Sequence, residues 1–99
     1  MLKHIVCWKI QGNEAASKES NLAKMKELLD ELPNLINEIE AFEVGINFNE
    51  SEAAYDISLF SVFADNEALD IYQKHPEHLR VAEFIKKVTL NRVVVDYFD

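Results

Sequence analysis

Leu2-Lys3-His4-Ile5-Val6-Cys7-Trp8-Lys9-Ile10 opens the chain in strict alternation, with His4, Val6, Trp8 and Ile10 on one side and Lys3, Ile5, Cys7 and Lys9 on the other. A period of two is the mark of a β-strand, whose successive side chains point to opposite faces. Gln11, Gly12 and Asn13 end it. Ile5 and Cys7 make the second face apolar as well, and two later segments repeat that pattern. Residues 55–63 set Ile57, Leu59 and Phe63 against Ser58, Phe60 and Val62, and residues 90–98 set Val93, Val95 and Tyr97 against Val94 and Phe98. Three strands therefore need cover on both sides.

Between these strands the period changes. From Ser20, the apolar residues Leu22, Met25, Leu28, Leu29 and Leu32 recur at helical spacing, with Lys24, Lys26, Glu27, Asp30 and Glu31 filling the gaps. Ser17 or Ser20 is the expected N-cap, and Pro33 disfavours helix at Leu32. Phe42, Val44, Ile46 and Phe48 then share one side of a strand whose other side, Glu43, Gly45, Asn47 and Asn49, is polar. That strand should lie at a sheet edge. Asp65 or Asn66 caps a helical pattern through Ala68, Leu69, Ile71 and Tyr72, which His75-Pro76 interrupts before Leu79, Ala82, Ile85 and Val88 resume it.

The order is βαββαβ, predicting one α+β domain over residues 1–99 with a four-stranded antiparallel sheet of ferredoxin-like type and both helical regions on one face. The other face, apolar on three strands, would expose more than a soluble monomer usually tolerates. A second copy packed sheet to sheet is the simplest cover, so a homodimeric α/β barrel is expected.

Composition narrows the partners. Hydrophobic residues at 48% and ten aromatic side chains suit a packed core. Ten basic against eighteen acidic residues leave a net charge of −8, a field that repels nucleic acid and anionic lipid, so neither is an expected partner. No apolar run approaches the roughly 18 residues of a membrane span, and a cytoplasmic setting is expected. Cys7 is the lone cysteine, which rules out an internal disulfide, and its apolar neighbours read as core. No glycine-rich phosphate loop, G-x-S-x-G or C-x-x-C occurs, so no cofactor is expected, and neither is serine hydrolysis or dithiol redox chemistry.

Chemistry at neutral pH points to the three histidines, His4, His75 and His78, with Tyr72 one turn before the last two. An imidazole in a cavity can take a proton from beside a carbonyl and return it, and a tyrosine can orient the oxygen. Each residue also has a purely structural reading. His75 before Pro76 suits a helix cap, His4 a half-buried strand position, and Tyr72 a core residue with its hydroxyl at the rim. His75 and His78 with Glu77 between them have a metal reading too, but helical zinc pairs usually stand four apart and Pro76 disrupts the turn, so no metal site is expected.

His4-Ile5-Val6 on the first strand, the run Leu69-Asp70-Ile71-Tyr72-Gln73-Lys74-His75-Pro76-Glu77-His78 and the closing Val93-Val94-Val95-Asp96-Tyr97 together resemble the stress-responsive A/B barrel family, or Dabb domain. Tyr-x-x-His-Pro-x-His is the most specific of these elements. The resemblance implies a ferredoxin-like subunit in a homodimeric barrel. It also implies a cavity, since a few plant relatives are cofactor-independent polyketide cyclases in which the first-strand His, the Tyr and the second His of His-Pro-x-His line it. Carried over by position, these are His4, Tyr72 and His78, with His75 matching the first motif His. His78 would be general base, Tyr72 would orient a carbonyl oxygen, and His4 would hold or protonate it.

Two functions follow as expectations. One is binding of a small molecule between sheet and helices, the other a cofactor-independent cyclase or isomerase acting on a carbonyl compound through His78. A monooxygenase of related barrel architecture rests on analogy of fold, with Trp8 and Phe60 as cavity residues; these two and His75 complete the candidate ligand-binding set. Tyr72 and His78 can meet His4 only on the helix-covered face, which would leave the dimer seam supporting the site without forming it.

Overall fold

Strand β1 (Leu2–Ile10) buries every second residue and leaves those between half-buried, so the opening alternation is realised along its whole length. In the computed structural model, which describes all 99 residues, β1 is followed by α1 (Lys18–Glu31), a 3₁₀ turn (Leu32–Asn34), β2 (Ala41–Ile46), β3 (Ile57–Phe63), α2 (Asn66–Lys74), α3 (Pro76–Val88) and β4 (Thr89–Phe98). The strands pair antiparallel in the order β2-β3-β1-β4, a ferredoxin-like sheet with β2 and β4 at its edges.

Short polar contacts set the element boundaries. Ser17 Oγ accepts the Ser20 amide at 3.1 Å and starts α1, and Asp65 Oδ1 accepts the Ala68 amide at 2.9 Å and starts α2, each satisfying a helix N–H that has no partner within the helix. Buried Asn21 donates from Nδ2 to the Gln11 carbonyl at 2.9 Å, tying α1 to the end of β1. The chain between them passes very close to itself. A Cβ on Gly12 would stand 2.9 Å from the Lys18 nitrogen and 3.2 Å from the Ala16 carbonyl oxygen, so the close approach excludes a side chain there.

Pro33 falls in the 3₁₀ turn and ends the helical run as its ring requires. His75-Pro76 divides the second helical region completely. His75 leaves helical geometry at ψ 136°, Pro76 takes the first position of α3, where it has no N–H to lose, and α2 and α3 are separate helices.

All helices pack on one sheet face, mainly over β1, β2 and β3. Leu2, Val6, Trp8 and Ile10 meet Met25 and Leu29 of α1, Tyr72 of α2, Val81 and Val88 of α3, and Ile57, Leu59 and Phe63 of β3 in one core. β4 hydrogen-bonds to β1 alone and stays exposed from Leu90 to its end. The face away from the helices carries Ile5, Phe60, Val62, Val93, Val95 and Tyr97. No helix is long and apolar enough to cross a membrane.

Two sequence expectations shift. β2 ends at Ile46, and Phe48, expected on its apolar side, is 96% exposed. The Asn49 amide donates to Asn47 Oδ1 and the Ser51 amide to Asn49 Oδ1, local turns that pull the chain off the ladder. β3 correspondingly begins at Ile57 rather than Tyr55.

Candidate functional site

The register of β1 against β4 places His4 opposite Asp96, Val6 opposite Val94 and Trp8 opposite Arg92, all on the helix side. His4 is buried, and its Nδ1 is 2.5 Å from Asp96 Oδ1. A carboxylate at that nitrogen fixes the ring and favours a proton on Nδ1, leaving Nε2 to act. The backbone of His4 is held from the other side, where buried Ser61 donates from Oγ to its carbonyl at 2.9 Å.

Tyr72 comes down from α2 and is buried, its ring 4.9 Å from that of Phe63 and 6.2 Å from that of Phe42. His78, from the first turns of α3, meets it edge to face at 4.6 Å. The break at His75-Pro76 brings this pair together, because the extended backbone of His75, the single residue between α2 and α3, lets α3 start afresh. His4, Trp8, Tyr72, His78 and Arg92 border a cavity of about 30 Å³, closed by Val6, Leu29, Leu59, Val81, Ala82 and Ile85. That volume holds one or two water molecules, or the polar head of a ligand. Trp8, His78, Ala82, Ile85 and Arg92 also border a surface groove of about 430 Å³ that Lys86 and Thr89 complete. Hollows of about 460 and 520 Å³ flank the loop 47–55, and neither is bordered by a histidine.

Protonation states in the cavity diverge. Burial pushes the Tyr72 phenol far above its ordinary value, with the nearby Arg92 charge acting weakly against this, so Tyr72 is an O–H donor at neutral pH. Burial pushes His78 below its ordinary value. The Gln73 main chain, near the ring without completing a hydrogen bond to the buried Nδ1, opposes that shift, while His4, Arg92 and His75 add to it. His78 is therefore a neutral imidazole with an unpartnered Nδ1. Trp8 Nε1 is likewise buried without a partner. An acceptor-capable ring, a phenolic donor and a carboxylate-held imidazole on one small cavity can together move a proton at a substrate's oxygen-activated carbon.

Of the residues expected from sequence, His4, Tyr72, His78 and Trp8 thus share one cavity. His75 and Phe60 lie elsewhere. His75 Nδ1 accepts the Glu77 amide at 3.1 Å, capping α3. Phe60 pairs with Ile5 and Glu43 on the helix-free face, so the sheet separates it from the cavity. Arg92 borders the cavity and Asp96 backs it through His4, and neither is among the residues expected from sequence. The signal that could have found them is their spacing, since 92, 94 and 96 share a strand face on which two charges interrupt an apolar pattern.

Comparisons with known proteins agree with this architecture. No curated protein matches the chain. A dimeric protein of unknown function and ferredoxin-like fold from Bacteroides fragilis is 31% identical at a TM-score of 0.86, over 99% of this chain and 95% of its own. A dimeric ferredoxin-like protein of unknown function from Jannaschia is 26% identical at a TM-score of 0.79, over 99% and 98%. The hydroxynitrile lyase of Passiflora edulis, 18% identical at a TM-score of 0.80 over 97% and 90%, is alike in fold. The family model described as Stress Responsive A/B Barrel Domain matches residues 2–99. With the His4 strand, the Tyr72 to His78 helix break and the closing β4 all inside that match, the chain belongs to the stress-responsive A/B barrel family.

Proposed function

We propose that two copies of this chain pair through their helix-free sheet faces, and that each binds a small carbonyl compound between sheet and helices and moves a proton on it. His78 takes the proton from the carbon beside the carbonyl and returns it, Tyr72 donates a hydrogen bond to the oxygen, and His4, held by Asp96 at Nδ1, donates to that oxygen from Nε2 in its doubly protonated form. The observation that carries the reading is His78 itself: a half-buried imidazole kept neutral, edge-on to a protonated tyrosine, whose buried Nδ1 has the Gln73 main chain near it but no completed hydrogen bond. A structural histidine in such a place would be expected to have its hydrogen bonds satisfied. Pairing is supported by the exposed Val93, Val95 and Tyr97 and by the dimeric relatives. We take the setting to be the cytoplasm, where a lone thiol such as Cys7 stays reduced.

Exchange of α-protons of cyclohexanone for deuterium, followed by NMR at neutral pH, tests the chemistry. The protein should accelerate exchange, and His78→Ala should lower the acceleration on the order of 10²-fold. Full activity in His78→Ala would remove His78 as base. Binding without turnover is a second reading, favoured by the small inner cavity of about 30 Å³. A ketone that shifts the His78 ring resonances saturably but does not exchange would select it, and no shift with no exchange rejects both.

A further inference from the structure

The walls of the groove outside His78 are lopsided in charge. Lys86 and Arg92 border it, with Thr89 and the apolar Trp8, Ala82 and Ile85, and no carboxylate does. This is the reverse of the whole chain, whose net charge is −8. Lys86 has an ordinary explanation, because with Lys87 it stands in the last turn of α3, where a cation offsets the helix dipole. Arg92 has none. It forms no ion pair, although Arg80 and four of the lysines do, and the nearest acid along its own strand face, Asp96, is engaged by His4. Glu83 borders a neighbouring groove with Arg80, outside this one.

A second feature points the same way independently. Trp8 is 4% exposed, and its Nε1 has no acceptor in the protein. The indole N–H only donates, and a buried donor without a partner is destabilising unless something fills the place. Trp8 borders both the inner cavity and the groove, directly across the strand pair from Arg92. A donor-only indole and an unpaired guanidinium, on facing positions of the two strands and bordering the same cavity and groove, supply the donors that an oxyanion needs.

Resting on the small-molecule reading above, we propose that the compound bound here is an acid, its carboxylate seated between Arg92 and Trp8 Nε1 while its carbonyl end reaches His78 and Tyr72. Seating the anion neutralises Arg92, one of the charges that disfavour the protonated form of His78. Binding thereby makes His78 a stronger base as the substrate arrives.

Benzoate and its uncharged analogue benzamide provide the test, read through the fluorescence of the single tryptophan and the indole N–H resonance. Benzoate should bind at least about tenfold more tightly than benzamide at low salt, move the indole N–H downfield, and lose the advantage in Arg92→Gln and in high salt. Arg92→Lys should restore part of it. Arg92 is exposed on an edge strand, so the variant should keep its fold, which circular dichroism checks. Equal binding of the two probes, untouched by Arg92→Gln, would overturn the acid proposal and leave the small-molecule site standing. If neither probe disturbs Trp8 or the His78 ring, both readings fall.

Discussion

His78 is the residue on which most turns, and its environment makes a stability prediction. Its folded-state affinity for protons is reduced, chiefly by burial, so below its ordinary value near 6.5 the unfolded chain binds the proton that the folded chain refuses. Stability is full above about pH 6.5 and falls as pH drops toward the folded value. In His78→Gln the urea midpoint should vary less between pH 7 and pH 5.5 than in the wild type; equal slopes would mean that the ring is not held neutral. Asp96 acts through His4 rather than on a ligand. Asp96→Ala should lower cyclohexanone exchange about tenfold and change the His4 tautomer seen by ¹⁵N NMR, while Asp96→Asn, which can still accept from Nδ1, should recover part of both. At this scale the sequence is half legible. Histidines and a tyrosine declare their chemistry by type, but Arg92 and Asp96 look like ordinary strand charges until the register shows that they face Trp8 and His4. Phe60 is readable, since its alternation against Leu59 already sets it on the other face; aromatic character alone favours it for the cavity.

At the level of elements, the break between α2 and α3 is a device of two adjacent residues with separable duties. Pro76 stops one helix and starts the next, and His75 caps the new one through Nδ1. His75→Ala should cost about 1 kcal/mol of stability, as loss of an N-cap does, and leave exchange at His78 nearly unchanged, whereas His75→Asn should keep the stability. A large loss of exchange in His75→Asn would return His75 to the ligand-binding set. The turn into α1 is stricter. Gly12→Ala puts a methyl group against backbone atoms that cannot swing aside, and a loss of about 1–3 kcal/mol in denaturant unfolding is expected. Helix and strand periods and both proline breaks are legible in the sequence because each is a local pattern, and the caps are legible as pairs of candidates, Ser17 or Ser20 and Asp65 or Asn66, of which the fold uses the first in each. The end of β2 is not, because Phe48 keeps the alternation of Phe42, Val44 and Ile46, and only the side-chain turns at Asn47 and Asn49 reveal that the ladder has stopped.

For the whole molecule, strands apolar on both faces imply a partner from their alternation alone, and the folded sheet gives that inference a particular place. Val93, Val95 and Tyr97 stand 44–57% exposed on the helix-free face of β4. Sedimentation at micromolar concentration should give about twice the chain mass of 11.4 kDa, and Val95→Asp should shift the balance toward monomer. A wild-type monomer would remove the dimer. β4 is also the strand that carries Arg92 and Asp96, and β1 is the one strand that holds it. Arg92 of the cavity wall and Asp96, the partner of His4, thus sit on an exposed edge strand that a single ladder holds. Turnover per chain should therefore fall on dilution, as separation of the copies frees β4 to fray, so that protein concentration itself acts as a control on the site.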